Sequence, residues 1–383
     1  MGKSRKNPSL YQLIDRKKFD QLAEKWNIDK GVRSLTTWEL TCALVDFMTL
    51  QLESYRDIEE TLGIPRSTLS DALAGRCSGF FQDLCDQILL DIRGRTHNRK
   101  LKRAIRQLLA IDSTECDVHG SLFDRPKWAK KRGEGRQASC KLHVVWDIDG
   151  EWVDDFSITG ARKHDSPASL NLRIQSGKTY VFDRAYNDLD FWLKIIGADS
   201  HFVTRLKDCQ KNADLRMFAL AMADGEDGVL YDGDYEPSQS IASRYKEQLQ
   251  EVHLRHIIYR DPETKKVFDF VTSDVDVPAQ EIADIYKRRW AVELLFRWLK
   301  GHLKIGRLAV KNANAAEIQL AAAVMFQLLL QLKKMKTKFT GTLWLLLKSI
   351  RSCLKRRTMS RSEIPEGCRW RPATTANLNR ATG

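Results

Sequence analysis

The chain is short of the features that would mark a metal-stapled or secreted protein. Its 383 residues include eight cysteines, no two of which form a Cys-x2-Cys pair, and no histidine cluster completes a zinc set. Zinc-finger and disulfide-framework classes are therefore set aside, and the thiols read as reduced. The Met1-Gly2-Lys3 start is not followed by an apolar stretch, so no secretory signal is expected. Also lacking is an apolar run of the ~20 residues that a membrane-spanning helix needs. The greasiest segment, Ile318–Leu332, is interrupted by Gln319, Gln327 and Gln331 and reads as a buried core helix. No repeat or low-complexity segment stands out. A cytoplasmic protein with no membrane partner is expected.

What the chain does have is positive charge. Sixty-three Lys and Arg against fifty Asp and Glu leave a net +13, which favours a polyanionic partner such as nucleic acid. The length allows two or three domains, and 43% hydrophobic residues allow an ordinary core.

The most informative stretch is 282–304. On a helix at roughly 100° per residue, Arg289, Trp290, Glu293, Arg297 and Lys300 fall within about 60° of Tyr286. The opposite arc carries Val292, Leu295, Phe296, Leu299 and Leu303. An amphipathic stripe of this kind also arises as a plain solvated face. A face meant only for water, however, usually mixes Lys and Glu in i,i+4 pairs. This one sets a single carboxylate among cations and aromatics, as a surface meeting an anion would.

Two further acids stand upstream. Asp112 follows Leu108-Leu109-Ala110-Ile111, and Asp183 follows Thr179-Tyr180-Val181-Phe182. Each closes an apolar run that reads as a buried strand. A carboxylate there pays desolvation unless a cation sits beside it. A divalent metal is one such cation, since Mg²⁺ takes one or two carboxylates together with substrate phosphate. Taken singly, either Asp also fits a turn or helix cap.

Tyr286, Arg289, Glu293 and Lys300 match the spacing Tyr-x2-Arg-x3-Glu-x6-Lys. This resembles the signature of the IS-four family of bacterial insertion-sequence transposases. Asp183-Arg184-Ala185-Tyr186 resembles the second-acid motif of that family, with Ala185 where glycine is common, and Asp112 in Ile-Asp-Ser-Thr resembles its first. The resemblance covers roughly residues 10–340. It implies an α/β fold: an RNase H-like core with a mainly β insertion, preceded by a helical DNA-binding domain. It implies that Asp112, Asp183 and Glu293 are catalytic and bind two Mg²⁺ or Mn²⁺ ions. Tyr286, Arg289 and Lys300, with Arg184 and Arg297, would hold DNA. The partners would be double-stranded transposon ends and target DNA, bound by a homodimer near the nucleoid. Two other readings share the features: an inactive or domesticated DNA-binding repressor, and an RNase H-like nuclease without strand transfer.

The rest of the chain is read in that light. Residues 1–100 are expected to be a helical DNA-binding domain. Within it, 54–74 is a candidate helix-turn-helix: Tyr55, Ile58 and Leu62 pack one helix, Gly63-Ile64-Pro65 turns, and Arg66 and Ser67 start the next facing DNA. An ordinary helical hairpin would look similar. Residues 94–106 are basic and could lie along phosphates. Residues 101–206 are expected to hold the first part of the core. Ser139–Trp146 and Glu151–Thr159 would form a hairpin, Asp165–Ile174 and Asp188–Ile196 helices, and His201–Arg205 the fifth strand. Residues 207–275, with alternation at Leu249–Tyr259, are expected to be a mainly β insertion. Related hairpin-forming enzymes stack a flipped base on a Trp in this insertion. No Trp occurs between Trp192 and Trp290, which leaves Tyr231, Tyr235, Tyr245 and Tyr259 as aromatic substitutes. Residues 276–340 complete the core, and 341–383 form a basic C-terminal segment with a frayed end.

Overall fold

The computed structural model describes residues 9–96, 107–122, 129–132, 135–161, 170–221, 228–306, 308 and 310–359. The chain opens with α1 (Arg16–Trp26), α2 (Thr37–Leu50), α3 (Tyr55–Leu62), α4 (Arg66–Gly75) and α5 (Ser78–Thr96). Local chemistry sets their ends. Asp15 caps α1, and Thr36/Glu39 and Ser54/Asp57 form capping boxes on α2 and α3. Gly63, in the left-handed region at φ 71°, ends α3, and Pro65 precedes α4. Ile58, Leu62, Leu69 and Leu73 are buried between these two short helices and their neighbours, as the helical-hairpin spacing requires.

Then come β1 (Gln107–Val118), β2 (Ala129–Arg132), β3 (Gly135–Asp147), β4 (Trp152–Gly160) and β5 (Lys178–Phe182). They are followed by α6 (Leu189–Gly197), β6 (His201–Arg205), α7 (Ala213–Ala221), β7 (Val229–Asp234), α8 (Gln239–Arg244), α9 (Lys246–Gln250), β8 (Arg255–Arg260) and β9 (Val267–Thr272). The chain closes with α10 (Ala279–Arg288), α11 (Trp290–His302), α12 (Ala313–Thr337) and α13 (Leu343–Met359). Among the described residues the strands form one nine-stranded sheet in the order β2-β3-β1-β5-β6-β9-β8-β7, with β4 on β3. β1, β5 and β6 run parallel, whereas β6, β9, β8 and β7 are antiparallel. The expected β3–β4 hairpin is present, with Glu151 N donating to Asp147 O at 2.9 Å across its turn.

Three expectations need correction. Residues 207–275 are not a separate, mainly β insertion. Helices α7, α8 and α9 alternate with strands that continue the core sheet through the β6–β9 pairing. The alternation of Leu249–Tyr259 is strand-like only from Arg255, because the Lys246–Gln250 part closes as a helical turn. The expected Asp165–Ile174 helix lies partly outside the described residues, and 170–174 are turn and irregular chain. Of the basic segment 94–106, all beyond Thr96 lies outside the described residues, as does the C-terminal end from 360.

The chain divides into two compact units: 1–100 with 116–140 and 298–383, and 101–115 with 141–297. This crosses the expected boundaries at 276 and 341. The cause lies in α12, which is apolar on every side and must be covered all round. In the first unit it packs against α5, α2, α4, α13 and the 3-10 turn at Leu10–Leu13. It is long and apolar enough to cross a membrane, yet 94% of its apolar window is buried, so Ile318–Leu332 is the core helix expected. In the same unit the basic C-terminal segment turns partly inward. Arg351 of α13 donates to Thr49 O at 2.7 Å and Met48 O at 3.1 Å. The second unit has its own core, with Leu109, Ile111, Tyr180, Phe182, Phe191, Trp192 and Phe202 at 2% exposure or less.

Candidate active site

The second unit brings two of the three acids into one neighbourhood by strand register. β1 and β5 are parallel with Ile111 opposite Phe182, so the next residue on each, Asp112 and Asp183, lies side by side. Asp183 ends its strand, whereas Asp112 sits within β1, which continues to Val118. Asp183 caps the 3-10 turn Arg184–Tyr186, its Oδ1 accepting Arg184 N at 2.7 Å. That turn is fixed from both sides. His143 on β3 hydrogen-bonds Tyr186 Oη at 3.1 Å and Thr159 Oγ1 at 2.9 Å. Thr204 on β6 donates to Asn187 Oδ1 at 2.7 Å.

Glu293 arrives from the other side. The expected single helix over 282–304 is two helices, α10 and α11, joined by a tight turn at Arg289. There Arg289 N donates to Tyr286 O and Val292 N to Arg289 O, both at 3.1 Å and three residues apart. The turn drives the Arg289 side chain, 12% exposed, between the acids. Its Nη1 donates to Asp112 Oδ2 at 3.1 Å and its Nη2 to Glu293 Oε1 at 2.6 Å. Tyr286 Oη donates to Asp183 Oδ1 at 3.4 Å. Tyr286, Arg289 and Glu293 are thus brought together with Asp112 and Asp183.

The electrostatics follow. Burial pushes the Asp112 carboxyl up to about 6, and the Asp183 and Glu293 charges add to this, while the Ser113 amide and Arg289 oppose it. Burial also raises the Tyr286 phenol, with Asp183 adding. Burial works against the Arg289 charge, but Tyr286, Glu293, Asp112 and Asp183 outweigh it, and its pKa is raised. Among the described residues no three His, Cys, Asp or Glu side chains are grouped closely enough to hold a metal. In kind, the carboxylates of Asp112, Asp183 and Glu293 are ligands suited to a hard divalent cation. In position, a guanidinium stands between two of them.

The remaining expected site residues lie further out. Arg184 is half-exposed and pairs with Asp208 at 3.6 Å. Arg297 and Lys300 are exposed along α11. In the first unit, Arg66 pairs with Glu59 at 2.7 Å. Arg66 and Ser67 line a cavity of about 630 Å³ with Ser70, Lys311 and Asn312. Of the four candidate stacking tyrosines, Tyr235 and Tyr259 are buried at 9% and 6% and present no free ring face. Trp290, by contrast, is 50% exposed, three residues before Glu293. The sequence reading missed Arg205. It closes β6 beside Asp183's strand, and its guanidinium lies 4.8 Å from the Phe268 ring and 5.8 Å from that of Tyr286. Among the described residues it forms no ion pair with a carboxylate. Its signal was available: like both Asp residues, it ends an apolar strand run.

Residues 103–329 match the family model of the transposase DDE domain. The chain belongs to the DDE transposase family. A second model, a domain of unknown function, matches residues 8–71. The transposase is 32% identical over 270 residues to y4zB of Sinorhizobium fredii, named as a transposase, covering 70% of this chain and 73% of that one. It is 28% identical over 342 residues to a Geobacillus stearothermophilus protein named as a transposase for insertion sequence element IS5377, covering 86% and 85%. Its fold is similar to that of piggyBac transposase, solved as a synaptic complex with hairpin DNA. The TM-score is 0.51 at 10% identity, covering 95% of this chain and 84% of that one. Membership implies a DNA transposase, with DNA cleavage and strand transfer, and the family generally uses divalent metal ions.

Proposed function

We propose that this transposase belongs to an insertion sequence of the IS-four type, binds the ends of that element, cleaves them and joins the freed 3′-hydroxyls to target DNA. The observation that carries the reading is the placement of Asp112 and Asp183 one residue past the paired Ile111 and Phe182, with Arg289 linking Asp112 to Glu293. The order β4-β3-β1-β5-β6, with its three parallel members, supports an RNase H-like core.

In this reading Asp112, Asp183 and Glu293 hold two divalent ions, Mg²⁺ or Mn²⁺. When bound, such ions neutralise phosphate charge and lower the pKa of water or a 3′-hydroxyl. The protein's own groups do the rest. Arg289 offers a forked donor to a phosphate near the acids, and Lys300 and Arg297 offer charge along the same helix. Tyr286 keeps Asp183 oriented through its hydroxyl. Arg205, supported on two aromatic rings, faces the same strand ends and binds the flanking backbone. Trp290 supplies the exposed ring that a hairpin step needs for a displaced base. Arg66 and Ser67, with the first unit's helices, bind the element ends, and the enzyme acts on DNA as a homodimer.

The test is a strand-transfer assay on a duplex built from the terminal sequences flanking the gene. Mg²⁺-dependent nicking, end hairpins and joined product are expected. Asp112→Ala and Asp183→Asn should abolish cleavage while gel-shifted end complexes persist. Cleavage surviving in Asp112→Ala would end the assignment of the acids. Nicking followed by joining, with no hairpin at any time, would end the hairpin step alone.

A further inference from the structure

Arg289 is placed more tightly than a DNA-contacting arginine needs to be. Its backbone is held in the turn between α10 and α11, and its two terminal nitrogens are spent on two different carboxylates, at 3.1 Å and 2.6 Å. Its Nε is buried without a hydrogen-bond partner, so the guanidinium keeps unused donor capacity while it bridges the two acids.

Both oxygens of Asp112 already accept a hydrogen bond. Oδ1 accepts the Ser113 amide at 2.8 Å and Oδ2 accepts Arg289. The Ser113 amide is part of β1 and stays where it is. Arg289 is the partner that can leave. A hard cation ligated by Asp112 and Glu293 wants the same lone pairs, and at ligand distance it would sit against a like charge.

We propose that Arg289 is a resident counter-cation of the acidic cluster, which a divalent ion must displace from Asp112 and Glu293 as it binds. This rests on the metal-binding reading of the three acids. Displacement has a direction: a phosphate at the site offers the freed guanidinium a bidentate partner. Metal loading and phosphate capture then favour each other, a reciprocal coupling between two ligands of one site. The transposase accordingly loads metal poorly in the absence of DNA, which protects the cell from hydrolysis by an idle enzyme.

The test uses the full chain without DNA and follows free Mn²⁺ by electron paramagnetic resonance during titration. Parent, Arg289→Gln, Arg289→Lys, and Arg289→Gln combined with Asp112→Asn are compared, with thermal melts to establish that each is folded. Arg289→Gln should bind Mn²⁺ about tenfold tighter or more than the parent, the scale expected for losing a charge-assisted bridge. Arg289→Lys, which keeps the charge but lacks the fork, should fall between them. The double variant should lose the tightened site. Asp112-dependent binding that is no tighter in Arg289→Gln than in the parent overturns the counter-cation role while leaving the metal site standing. No Asp112-dependent Mn²⁺ binding even in Arg289→Gln overturns the metal-site reading and the proposal with it.

Discussion

Asp147 shows how much one residue's surroundings decide. It is 2% exposed at the end of β3. Its Oδ1 accepts Gly150 N at 2.8 Å and its other oxygen accepts Gln107. Burial still dominates, pushing its carboxyl up to about 6 from 3.8, with Asp154 and Asp149 adding. Between those values the folded chain holds a proton that the unfolded chain has released. Stability from this group is therefore full below the lower value and lost as pH rises through the higher one. Asp147→Asn should remove that loss. In melts from pH 4.5 to 7.5, the melting temperature of the variant minus that of the parent should rise through about pH 6; a flat difference would show that Asp147 ionises without penalty. Arg205 gives a second prediction at this scale. Arg205→Ala should cost no more than ~1 kcal/mol in melts, the scale of its contacts with the Phe268 and Tyr286 rings. Losing a charge-assisted phosphate contact should slow end cleavage roughly 10- to 100-fold. Parental cleavage would assign Arg205 to packing alone. The acids at 112, 183 and 293 were legible because each stands at a break in an apolar pattern. Arg205 ends such a run too, but a cation ending a strand pays little and draws no notice.

Among elements, what the sequence announced best were the ones closed by local chemistry. The Gly63-Ile64-Pro65 turn and the Asp147–Gly150 hairpin both sit where their residues predict. Gly63 can be tested directly. Its φ is 71° and a Cβ there would meet nothing within 4 Å, so any loss on substitution is conformational rather than steric. Gly63→Ala should cost ~1 kcal/mol and Gly63→Asn less, read from denaturant midpoints. Equal stability for all three would mean that the turn does not hold that backbone. The elements that were not legible are those decided by distant partners. β7, β8 and β9 belong to the core sheet because β9 finds the free edge of β6. The break at Arg289 leaves no mark in the periodicity, since a tightened turn shifts the helical phase only slightly.

At the scale of the molecule, the first unit is assembled from three separated stretches of chain. Its centre, α12, has Ala316, Leu320, Ala323, Met325 and Leu329 fully buried, and the N-terminal helices are part of what buries them. A fragment starting at residue 107 should therefore not behave as an independent catalytic piece. It should bind an apolar dye and elute as aggregate in size exclusion, whereas the full chain should do neither. A monodisperse, dye-silent fragment would show that α12 finds its cover elsewhere. Composition foretold a buried helix here, but nothing in its own residues names the partners.

The hydrogen bond from Ser78 Oγ to Glu317 Oε2 joins residues 239 positions apart. On the ribosome, α5 emerges long before the helix it must grip. For most of its own synthesis the transposase carries an N-terminal helical layer with no centre, and the layer closes only once Thr337 has been made. A message cut short anywhere upstream yields a chain without a finished first unit, its apolar surface open to proteolysis and aggregation.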